Sequence, residues 1–118
     1  MGEQNKEITR SRVVKVESEK SWDSFTNQAE KQGLPVVVHF TATWCMPSVA
    51  MNPFFEELAL KNPFALLLLV DIDEMMNVAK KVGVKAMPTF LMMKDGVVED
   101  KLVGANPQEM KKRVGSFV

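Results

Sequence analysis

The chain contains one cysteine, Cys45, and one histidine, His39, among 118 residues. A single thiol rules out an intramolecular disulfide framework and agrees with a reducing compartment. One Cys and one His do not make a structural zinc site, and no ligand pair has suitable spacing. No metal or other cofactor is expected, and a cluster shared between two chains is disfavoured. Net charge is absent as well, with 15 basic against 15 acidic residues. No basic run is interleaved with aromatics, which argues against nucleic acid as a partner. The longest uninterrupted apolar run, FALLLLV from Phe64 to Val70, is far shorter than the roughly 20 residues of a membrane span. No secretory h-region follows Met1, so a soluble protein of the cytoplasm is expected, with no membrane partner. MGEQNK opens on Met-Gly, but Lys6 stands where an acylation signal has Ser or Thr, which reads against myristoylation.

The length suits one domain with one core. Residues 1–11 are polar and aperiodic and read as a mobile arm, leaving 12–118 as the folded domain. RVVKVE (Arg12 to Glu17) has the look of a strand. SEKSWDSFTNQAEKQG reads as an amphipathic helix with Trp22, Phe25 and Ala29 on one face, ended by Gly33 and Pro35. VVVHFT (Val36 to Thr41) is apolar on both alternate faces, the pattern of a central strand covered on both sides. SVAMNPFFEELALK follows as a helix that Pro53 should kink, because proline removes one i to i−4 bond. LLLLVDID (Leu66 to Asp73) is a second buried strand, and EMMNVAKKVG a helix closed by Gly83. Asp95-Gly96 between two apolar runs signals a hairpin. The last helix has Asn106 as N-cap, Pro107 in first position, Glu109 completing a capping box, and Lys111, Lys112 and Arg113 toward its negative end. The order β-α-β-α-β-α-β-β-α predicts an α/β fold: a central mixed five-stranded sheet flanked by four helices.

Between the second strand and second helix lies TATWCMPS. Cys45 there follows a strand and precedes a helix, where free N–H groups and the helix dipole stabilise a thiolate. It is the candidate nucleophile. A disulfide needs a second sulfur, and three residues on stands the hydroxyl of Ser48, expected to hydrogen-bond locally or to the Cys45 sulfur. His39 reads as a satisfied core residue in an apolar strand rather than an acid or base. Met46, Met87, Met92 and Met93 read as flexible apolar filler, not a cofactor box.

The element order, together with FTATWCMPS, NPFFEELA, VDIDE, VKAMPTFLMMKDG and LVGAN, resembles the thioredoxin family, most closely the h-type thioredoxins of plants and the plant thioredoxin-like proteins whose box is Cys-x-x-Ser. The resemblance implies a thioredoxin fold from about Val13 to Phe117. It makes Cys45 the nucleophile, Trp44 its flanking surface aromatic, Pro88 a cis-proline, and the Met87 backbone a strip that pairs with an extended substrate; Met46 and Pro47 complete the contact surface. Four positions depart from the family pattern. Ser48 replaces the resolving cysteine, Met46 a glycine, His39 a buried aspartate, and Leu69 an associated buried lysine. Without a resolving thiol there is no proton for that aspartate to accept, and an unpaired buried carboxylate is costly. Four changes around one site mark a natural monothiol variant rather than a single laboratory substitution. The implied activity is monothiol thiol–disulfide exchange, isomerase-like and weakly reducing. Partners would be protein thiols and disulfides, with glutathione a further candidate; the chain would be a monomer able to dimerise covalently through Cys45 on oxidation. The rivals are a glutathione-linked monothiol enzyme and a non-catalytic binding module.

Overall fold

The computed structural model describes residues 11–118; the arm expected over 1–11 falls, apart from Ser11, outside them. The sheet is built of β1 (Val14–Lys15), β2 (Val36–Thr41), β3 (Leu66–Asp71), β4 (Thr89–Lys94) and β5 (Val97–Val103) in the order β1-β3-β2-β4-β5. β1 and β2 run parallel to β3, whereas β4 is antiparallel to both β2 and β5. β2 is therefore central, and all six of its residues are buried, as its unbroken apolar pattern requires.

Two strands are shorter than their sequence patterns. β1 pairs only Val14 with Leu68 and Lys15 with Leu69 at the sheet edge, not the whole run from Arg12 to Glu17. β3 stops at Asp71, because the chain then folds back: Asp71 accepts from the amides of Asp73 and Glu74.

Helix α1 (Glu19–Gln32) is capped by Ser18, whose side chain accepts from the Ser21 amide at 3.0 Å, and ends on Gly33 at φ 67. It buries Trp22 and Ala29 as predicted. The second helix is not a single kinked rod. It divides into α2 (Met46–Val49) and α3 (Asn52–Lys61), with a turn at Ala50 and Met51. The break falls one turn before Pro53, since a proline has no N–H for the Val49 carbonyl and its ring crowds that same carbonyl. Pro53 thus opens α3 rather than bending its middle.

α4 (Met76–Lys81) is followed by Gly83 at φ 76. Asp95 and Gly96 both take positive φ, 54 and 77, the requirement of a tight two-residue hairpin. α5 (Pro107–Phe117) is capped by Asn106, which accepts from the Glu109 amide at 3.1 Å. The reciprocal half of the expected capping box gives way to another bond: the Glu109 carboxylate takes Arg113 Nε at 2.9 Å. Arg113 and Lys111 sit in the body of α5, not its last turn, and pair with Asp100 and Glu57 as well.

Two apolar clusters flank the sheet. Val36, Val38 and Phe40 face the one that holds Trp22, Ala29, Val78 and Ala79 from α1 and α4. Val37 faces the other, built with Phe55 and Leu58 of α3 and Met110 and Val114 of α5. Alternation along β2 puts His39 and Thr41 on this second face with Val37.

Candidate active site around Cys45

β2 delivers the site. Beyond Thr41 the chain turns, the Cys45 amide donating to the Ala42 carbonyl at 3.1 Å. Cys45 is extended (φ −99, ψ 96) and caps α2; its carbonyl receives the first helical bond, from Val49 N at 3.0 Å. Pro47 fits the first turn of α2, where no N–H is needed. The thiol is half-buried, and Sγ lies 3.7 Å from the Met87 carbonyl oxygen, to which it donates. Met87-Pro88 is cis, as expected. Because α2 is four residues long, a thiolate on Cys45 faces the peptide dipoles of a single turn and not the long helix the sequence implied.

Trp44 is 63% exposed yet held in place. Its indole N–H donates to Asp73 Oδ2 at 2.8 Å, and the Asp73 amide donates in turn to Asp71 Oδ1 at 2.8 Å. The loop after β3 thereby fixes the aromatic beside the sulfur. Nothing local to Asp73 in the sequence announces this bond. Met46 and Pro47 are exposed next to Cys45.

Ser48 is fully buried, and its hydroxyl is taken up from the strand side. Ser48 Oγ lies 2.6 Å from Thr41 Oγ1 and 3.3 Å from His39 Nε2. Neither partner anticipated for this hydroxyl, a local group or the Cys45 sulfur, takes it up: both of its partners stand on β2, packed against it by the fold. Thr41 was not singled out in the sequence, although period-two alternation already puts it on the His39 face. His39 stacks on Phe90, its cross-strand neighbour in the register, with centroids 4.6 Å apart, and meets the edge of Phe55 at 5.3 Å. Burial lowers its pKa from 6.5 to about 4, so the ring is neutral at neutral pH. Among the described residues His39 Nδ1 has no partner, so His39 is only half satisfied and the expected satisfied core residue is corrected. With the proton on Nε2 the ring donates to Ser48 and leaves a bare lone pair at Nδ1; the other tautomer would bury an unbonded N–H, the rarer defect.

A cysteine at a strand-to-helix turn, a cis Met87-Pro88 bond whose Met87 carbonyl meets its sulfur and a mixed sheet in this order point one way, and comparison with known proteins decides it: residues 13–116 match the thioredoxin family. The chain belongs to the thioredoxin family. It is similar to the thioredoxin-like protein CXXS1 of Arabidopsis thaliana, 59% identical over 92% of each chain, and to that of Oryza sativa subsp. japonica, 55% identical over 95% of this chain and 84% of the relative. Thioredoxin H9 of Arabidopsis thaliana is 40% identical over 97% of this chain and 81% of its own. Among solved structures, thioredoxin NaTrxh from Nicotiana alata superposes with a TM-score of 0.87 at 34% identity, covering 91% of this chain and 93% of that one.

As a thioredoxin-family protein with one thiol, the chain is a monothiol thiol–disulfide exchange protein. The departures from the dithiol pattern are not alike. His39 and Ser48 touch each other, so they form one unit. Leu69 is adjacent to His39 in the register but is only half-buried. It lines an open cleft of about 240 Å³ with Val13, Lys15, Asn52, Phe55 and Glu56. The position where the family pattern has a buried lysine thus borders a cleft here, and a lysine in place of Leu69 would reach water along it. Among the described residues no group of three or more His, Cys, Asp or Glu side chains is placed to hold a metal, and no helix is long and apolar enough to cross a membrane.

Proposed function

We propose that this chain rearranges disulfides in proteins by monothiol exchange and reduces them only weakly, with Cys45 as the catalytic nucleophile. The observation that carries this is the engagement of Ser48: the place of the second thiol holds a buried hydroxyl already bonded to Thr41 and His39. The Cys45 thiolate attacks one sulfur of a substrate disulfide; a new S–S bond forms to Cys45, the old one breaks, and the other substrate sulfur leaves as a thiolate. A hydroxyl cannot displace Cys45 from this mixed disulfide. The freed substrate thiolate then attacks either the sulfur bound to Cys45 or another substrate disulfide. When a different substrate thiolate finally displaces Cys45, the substrate carries a new pairing, Cys45 leaves as a thiolate, and no electrons have been gained or lost. Net reduction needs a thiol from solution, which suits a reducing cytoplasm.

Trp44, Met46, Pro47 and the Met87–Pro88 backbone form the substrate contact. The free chain acts as a monomer, and oxidation yields a dimer through Cys45 or a mixed disulfide with a small thiol. The test compares recovery of activity by scrambled ribonuclease with reduction of insulin, for the native chain, Cys45→Ser and Ser48→Cys. Recovery should be lost in Cys45→Ser, and insulin reduction should rise well above native in Ser48→Cys, whose new thiol would lie beside His39. Recovery that persists in Cys45→Ser overturns the nucleophile. Native reduction as fast as that of Ser48→Cys overturns the monothiol reading. Release of glutathione from mixed disulfides without recovery of ribonuclease would favour the glutathione-linked enzyme, and neither activity a binding module.

A further inference from the structure

The surface around the Cys45 sulfur has little charge of its own. From Gln32 to Phe55 the chain has no Lys, Arg, Asp or Glu. Neither does the segment Ala86 to Met93, which brings Met87 to the sulfur, nor Leu102 to Gln108. That last segment is tied to the site by the Gly104 amide, which donates to the Pro88 carbonyl at 2.9 Å. What the rim does present is apolar: Trp44 is 63% and Met46 69% exposed, with Ala105 exposed beside Gly104. Met76, 62% exposed, follows three residues after the Asp73 that anchors Trp44. A carboxylate, that of Asp73, lies against the indole, 2.8 Å from its N–H. Two cations are close in sequence to Met87 and Gly104: Lys85, two residues before Met87, and Lys101, three before Gly104, whose Nζ donates to the Gly83 carbonyl at 3.0 Å.

Resting on the exchange function proposed above, we infer that Met46 is a specificity-determining residue. It selects a protein segment with an aliphatic or aromatic residue beside its half-cystine and no acidic one, and it disfavours glutathione. Glutathione carries two carboxylates and must find donors or cations for them when it docks; this rim offers hydrocarbon, thioether and an aspartate. A carboxylate brought against such a surface is desolvated without a partner. An apolar substrate side chain gains by the same contact, and methionine, unbranched and polarisable, fits side chains of different shape. Trp44, fixed by Asp73, supplies a rigid wall for that contact with little ordering to lose.

The test uses three mixed disulfides of thionitrobenzoate: with the peptide Ala-Leu-Cys-Leu-Ala, with Ala-Glu-Cys-Glu-Ala, and with glutathione. Release of thionitrobenzoate gives the single-turnover rate of Cys45 attack on each, independent of any resolving step. The thiolate fraction is common to all three probes and cancels in their ratios. In the native chain the leucine peptide should react about tenfold faster than either acidic probe, the effect of covering roughly half a leucine side chain. The ratio should fall toward one in Met46→Gly and reverse in Met46→Lys. Equal rates in the native chain, or a ratio unmoved by both substitutions, would overturn the selectivity and leave the exchange function standing. No release from any probe would overturn both, because Cys45 would then not be a nucleophile.

Discussion

The two faces of β2 differ in kind. On one, Val36, Val38 and Phe40 belong to an apolar cluster that includes the Trp22 ring, 6.2 Å from Phe40 between centroids. On the other, Val37 is followed by His39 and Thr41, and the apolar cluster ends in three polar side chains closed on one another at Ser48. One face stabilises the fold by burial alone. The other gives up some of that stability where the chain turns toward Cys45, since an unpaired nitrogen remains at His39 Nδ1. A mixed composition on one strand thus separates the support of the fold from the setting of the site.

The largest effect should come from the hydrocarbon face. Phe40→Ala removes a fully buried ring and should lower unfolding stability by about 3–5 kcal/mol, read from the urea midpoint. A loss near 1 kcal/mol would mean that this face collapses around the gap. On the polar face, acid should single out His39. Its folded pKa of about 4 lies below the usual 6.5, so the unfolded chain binds the proton more readily. Stability is complete above pH 6.5 and falls as pH drops toward 4, by about 3 kcal/mol. The difference between native and His39→Phe unfolding free energies isolates it, because the carboxylates titrate in both. A pH-independent difference would show that the imidazole is not held in a desolvated site.

The hydroxyl cluster comes next. Ser48→Ala leaves His39 Nε2 and Thr41 Oγ1 without their partner, at a cost of about 1–3 kcal/mol. A double-mutant cycle with Thr41→Val should show that the two losses are not additive; additive losses would mean that the 2.6 Å contact carries no energy. The smallest effect belongs to the exposed rim. Trp44→Phe removes the bond to Asp73 and should change stability by no more than about 1 kcal/mol, while slowing capture of a substrate disulfide.

Those predictions draw unequally on sequence and structure. Strand β2 was legible because six apolar or β-branched residues in a row suit only a doubly covered strand. The hairpin was legible because Asp95-Gly96 tolerates positive φ, and the start of α5 because Asn106 and Pro107 carry their own reasons for being there. The place of Cys45 between strand and helix was legible, and the cis Met87-Pro88 bond followed from the family pattern. Pro53 was legible as a disturbance of the second helix, but the kink expected there is a full division into α2 and α3, since the proline leaves the Val49 carbonyl without a donor and crowds it as well. β1 was overextended, because a strand's length is set by how much of its neighbour lies alongside, and only Leu68 and Leu69 do.

By itself the sequence determined whatever one residue and its near neighbours settle: dihedral preference, side-chain period, capping, and the presence of one sulfur where a disulfide needs two. Only the tertiary structure decided what each polar group of the site would meet. Ser48 closes on Thr41 and His39 because α2 packs its first turn under the end of β2. Leu69 faces an open cleft rather than the core, and Trp44 finds Asp73 across the loop after β3. The reason is that hydrogen bonds and burial depend on distances between residues far apart in the chain, and those distances exist only after the strands have chosen their register.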